Sequence, residues 1–92
     1  MDIYGQIAVK IISGQEVIIG PVAIEQAKRV EGMDIDWTKH EVKISGNKAQ
    51  TIEALVEKYK ELFGQISVEV SKQAASSLMA KLPADGLPKT LA

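Results

Sequence analysis

Asp34, Asp36, His40 and Glu41 fall within one stretch of eight residues. Carboxylate oxygens together with an imidazole are donors that a divalent cation takes. On a strand, Asp34 and Asp36 point to the same side, as two ligands of one ion must. The stretch nevertheless lacks the spaced Asp/Asn, central glycine and closing glutamate of a calcium loop, and the H-E-x-x-H helix of zinc proteases. A solvated hairpin rim accounts for all four residues, so no metal is assigned. The same groups suit general acid–base work, but His40 is the sole histidine and no serine sits in a G-x-S-x-G elbow. The expectation is a chain with no catalytic residue and no cofactor.

Ser45, Gly46, Asn47 and Lys48 form the second constellation. They join a predicted strand to the start of a predicted helix, where exposed N–H groups and the helix dipole attract anions. Gly46 would let the backbone approach a phosphate, and Lys48 would add charge. This is the candidate anion-binding site, although one glycine falls far short of G-x-x-x-x-G-K-[ST]. A turn with an Asn cap explains the same four residues. Lys28, Arg29, Lys39 and Lys43, with Trp37 or Tyr4 as a stacking ring, are the raw material for a nucleic-acid surface. Aromatic residues are only 4% of the chain, and 11 basic side chains face 12 acidic ones, so a nucleic-acid partner is not expected.

These residues need elements to position them. From Ile3 to Ile12, Ile3, Ile7, Val9 and Ile11 share one parity, which predicts a half-buried strand. Ser13-Gly14-Gln15-Glu16 reads as a turn and Val17-Ile18-Ile19 as a second strand. Pro21 suits a helix start, and Ala23, Ile24, Ala27 and Val30 recur at helical spacing before Gly32. Met33, Ile35 and Trp37 alternate, as do Val42 and Ile44, predicting two short strands around Thr38-Lys39-His40. The spacing of Ile52, Leu55, Val56, Tyr59, Leu62 and Phe63 predicts a helix from Lys48 to Phe63, capped by Asn47 and closed by Gly64. Ile66, Val68 and Val70 predict a final strand, and Ser71 can cap a last helix carrying Ala74, Ala75, Leu78, Met79 and Leu82.

The predicted order is ββαββαβα. It reads as an α+β two-layer sandwich, with helices on a mainly antiparallel sheet of four or five strands. Without its first strand and last helix, the order resembles that of ferredoxin-like folds. The resemblance is one of element order alone and implies no activity. One domain over residues 1–82 is expected, with 83–92 a flexible C-terminal tail unless Leu87 and Leu91 dock.

With 46% hydrophobic and 25% charged residues and a net charge of −1, the chain has enough apolar content to fold and too little charge to stay disordered. The lack of cysteine excludes disulfides and thiolate chemistry. MDIYGQ has neither the basic nor the apolar region of a signal peptide, and no apolar run is long enough to cross a bilayer. A cytoplasmic location without a membrane partner is therefore expected. The functional expectation is a small non-enzymatic interaction or regulatory module, with binding of an anionic small ligand or nucleic acid at the Ser45–Lys48 turn as the alternative. Self-association as a homodimer is expected because the predicted first strand is apolar on both parities, with Ala8 and Ile12 opposite Ile7 and Ile11.

Overall fold

Asp2 starts the first element of this computed structural model, which describes residues 1–91. Its Oδ1 accepts a hydrogen bond from the Gly5 N–H at 2.8 Å, and the chain runs from there as one helix, α1 (Ile3–Ile19). Ile7, Ala8, Ile11, Ile12 and Gln15 are buried, which is the i, i+1, i+4, i+5, i+8 pattern of one helical face. The two strands expected over this stretch are therefore wrong. Ile3, Ile7 and Ile11 fit either period, but only a helix puts Ile7, Ala8, Ile11, Ile12 and Gln15 on one buried face. Gly14, expected in a turn, lies inside the helix. A Cβ there would come within 3.2 Å of the Ala74 Cβ, so the glycine permits close approach of two helices.

After Gly20-Pro21 comes the short α2 (Val22–Ala27), which buries Ala23, Ile24 and Ala27 and ends earlier than the Val30 limit expected. Strands β1 (Met33–Asp36) and β2 (Glu41–Ile44) then form an antiparallel hairpin, with Met33 opposite Ile44 and Asp36 opposite Glu41. Helix α3 (Lys48–Phe63) has the bounds its sequence predicts, with Asn47 Oδ1 accepting from the Gln50 N–H at 3.1 Å. Its stripe fades at the end, where Leu62 is about half exposed.

Helix α4 (Gln65–Met79) follows directly from Gly64. The strand expected over Ile66–Val70 is absent, and Ser71, expected as a cap, lies mid-helix. The buried face is Ser67, Val68, Ser71, Ala75 and Leu78, again helical in period. Two of its positions are serines, so the apolar pattern alone misreports which face is inside.

The four- or five-stranded sheet and ferredoxin-like order are thus overturned. The described residues hold four α-helices and one two-stranded sheet. Helices α1 and α4 run antiparallel, since Gln15 meets Ser67 and Ser71 while Gly14 faces Val70 and Ala74. Lys48 at the start of α3 pairs with Asp2 at the start of α1, so the C-terminal ends of α1 and α3 share one pole with the Gly64 turn. The hairpin packs at the other end, where Gly5 lies against the Val42 carbonyl. Beyond Pro83 the chain docks through two 3₁₀ turns, burying Pro88 and Leu91 and half-burying Leu87. Tyr4 Oη donates to the Gly86 carbonyl at 2.9 Å, and the Lys89 N–H to Glu53 Oε1 at 2.6 Å.

Candidate interaction surfaces

Each residue of the Ser45–Lys48 turn has an internal structural partner or role. The Ser45 N–H donates to the Gly32 carbonyl at 2.9 Å and extends the hairpin ladder. Gly46 turns the chain with a φ of 72°, a value that favours glycine. Asn47 Oδ1 covers the helix end, and the Lys48 ammonium pairs with Asp2 Oδ2. The lysine and the Gln50 N–H, which an anion would need, thus already meet oxygens of this chain. The same ion pair, with the Gly5 N–H bond behind it, holds the Asp2 carboxyl below the usual aspartate range.

The Asp34, Asp36, His40, Glu41 constellation lies on the hairpin. Asp34, Asp36 and Glu41 are exposed. His40 occupies the turn with its ring centroid 4.6 Å from that of Trp37. Among the described residues, no three carboxylate or imidazole groups come together as a metal site. An open concavity of about 530 Å³ runs from Lys28 along β1 to the turn.

Two buried polar groups, Gln15 and Tyr59, have structural partners. Gln15 Nε2 donates to the Ser67 carbonyl at 2.9 Å and to Ser71 Oγ at 3.1 Å. Tyr59 Oη donates to the Ala23 carbonyl at 2.6 Å, and burial holds its hydroxyl protonated far above the usual tyrosine range. Both clamp helices together.

What sequence reading missed is the pole where α1, α2, α3 and α4 have their adjoining ends. Val17 is 87% exposed, Ile66 72%, Ile18 62%, Leu62 49% and Val22 39%. Val17 and Ile18 were expected in a strand, and Ile66 in another, so their common outward position was hidden. The antiparallel pairing sets Ile18 at the level of Ile66. The Tyr59–Ala23 bond sets Val22 beside the last turns of α3, which carry Leu62. Summed, the five side chains expose roughly a few hundred Å² of apolar surface around these helix ends, the scale that marks an interaction site when it is contiguous. Ile12, one of the residues from which a homodimer was expected, is wholly buried core.

No match to this chain is found among known protein families, curated proteins or solved structures. No helix among the described residues is long and apolar enough to cross a membrane.

Proposed function

We propose that this chain is a small intracellular, non-enzymatic interaction module that self-associates through its apolar pole. The observation carrying the reading is the cluster of Val17, Ile18, Val22, Leu62 and Ile66 at the adjoining ends of four helices. Leaving it in water forgoes about 25 cal/mol for each Å² that burial would remove. A two-fold axis buries the patch twice, which with its rim reaches the roughly 1,000 Å² that a specific interface needs. None of the five side chains lines the concavities on the hairpin, between α2 and α3, or beside Met1.

Glu16, Glu25, Glu61 and Glu69 adjoin the patch in sequence, against Lys58 and Lys60. Two copies therefore repel weakly through their rims, and added salt should strengthen the pairing.

Sedimentation equilibrium at micromolar concentration tests the reading. The expected mass is twice the 10.0 kDa of one chain, falling to a single chain in Val17→Glu and Ile66→Glu. Both variants should keep the wild-type circular dichroism spectrum, because these side chains already face water. A wild-type chain that stays monomeric at hundreds of micromolar overturns it.

A further inference from the structure

We propose that the outer edge of β1 is a docking site for an extended partner segment carrying Lys or Arg at alternate positions. The register fixes which backbone groups are available. Ser45 bonds Gly32, so the bonded pairs of the ladder are Gly32–Ser45, Asp34–Lys43 and Asp36–Glu41. The N–H and C=O groups of Met33 and Ile35 must then point away from β2. On the opposite strand the same alternation turns the Val42 N–H outward, where it meets Met1 Sδ at 3.4 Å. The outer side of β2 is thus covered by the start of α1. That of β1 is not: among the described residues nothing hydrogen-bonds the outward groups of Met33 and Ile35. The concavity beside Lys28 takes in Asp34 and Asp36 of β1 and Glu41 and Lys43 of β2, so it lies over the exposed face that this edge borders.

An unpaired strand edge accepts another strand about 4.8 Å away, and side chains on the shared face then become direct neighbours. The exposed face of β1 carries only Asp34 and Asp36. A second copy of β1 is disfavoured, because antiparallel pairing sets these carboxylates against their own counterparts. An incoming strand with lysine or arginine at alternate positions meets both with opposite charge. On β2, Lys43 lies directly opposite Asp34 and Glu41 directly opposite Asp36, Lys39 lies in the turn, and Lys28 sits at the rim of the concavity. Among the described residues none of the three lysines forms an ion pair with Asp34 or Asp36, and Asp36 Oδ1 accepts only the Lys39 backbone N–H at 3.4 Å, so the charge of both carboxylates is left unpaired. This edge and the apolar pole share no residue, so either surface can fail its test alone.

The test is an amide NMR titration of the full chain with a capped heptapeptide in which lysine alternates with valine. The expected result is shifts centred on Met33 and Ile35 and slowed hydrogen exchange at those two amides. Replacing the lysines by glutamate, or using the Asp34→Asn/Asp36→Asn double variant, should weaken binding roughly threefold to tenfold. N-methylating the peptide at the positions facing β1 should abolish binding, and methylating the alternate positions should not. No response on β1 at millimolar peptide overturns the proposal. So does binding that glutamate leaves unchanged, or shifts confined to the apolar pole.

Discussion

Tyr59 Oη donates to the Ala23 carbonyl at 2.6 Å, out of reach of water, and ties α2 to α3. Ala23 stays within its helical ladder when the hydroxyl is removed, so Tyr59→Phe should cost only about 0.5–1.5 kcal/mol in urea unfolding. Tyr59→Ala also opens a cavity and should cost about 3–5 kcal/mol. The folded state holds this phenol proton more tightly than the unfolded state, whose value is 10.0. Its contribution is complete below pH 10 and is lost as pH rises above that. Wild-type stability should therefore fall more steeply in alkali than that of Tyr59→Phe.

Gln15 is the buried clamp between α1 and α4. Gln15→Met keeps most of the volume and removes both donated bonds, for an expected loss of about 1–3 kcal/mol. A double-mutant cycle with Ser71→Ala should give a coupling of at least about 0.5 kcal/mol, measured by chemical denaturation. Additive losses would mean that the Ser71 bond contributes nothing.

Asp2 caps α1 with one oxygen and holds Lys48 with the other. Asp2→Ala should cost about 0.5–2 kcal/mol, whereas Asp2→Asn, which still caps, should lose less. The folded-state carboxyl titrates below its ordinary 3.8. Its contribution is present above that value and is lost as pH falls through the folded one. Acid unfolding curves of wild type and Asp2→Asn should therefore stay apart down to the ordinary 3.8 and converge only as pH falls through the lower folded value.

His40 holds a φ of 51°, the one residue other than glycine described there. His40→Gly relieves the strain but loses the ring contact with Trp37, and its melting temperature should match or exceed that of wild type. A β-branched His40→Val should lose about 1–2 kcal/mol, read as a lower melting temperature. Equal stability of the two variants would show that the turn relaxes.

The second half of the hairpin and all of α3 were legible because their signals agreed. The Val42 and Ile44 alternation, the Asn47 cap, the Ile52–Tyr59 stripe and Gly64 all pointed one way. In α1 they conflicted. Ile3, Ile7 and Ile11 satisfy both periods, β-branched residues favour strands, and Gly14 resembles a turn until α4 is seen against it. In α4, burial of Ser67 and Ser71 and exposure of Ile66 invert the usual sorting of polar and apolar side chains. The Ser45–Lys48 cap was visible, but the Lys48 partner, Asp2, lies 46 residues away. No spacing rule reaches that far. The apolar pole was hidden for the same reason, since its members come to one end of the molecule only once α1 and α4 are both helices.

The α1–α4 clamp also sets an order of events during synthesis. Gln15 finds its partners 52 and 56 residues downstream. At about 5–20 residues per second, α1 waits roughly 3–10 s after leaving the ribosome before its main packing partner emerges. For that interval Ile7, Ile11 and Ile12 have no α4 to cover them. Local contacts speed folding, and the most extensive contact between elements here is this distant closure instead. The nascent N-terminal helix is therefore the segment most exposed to chaperone capture or to aggregation.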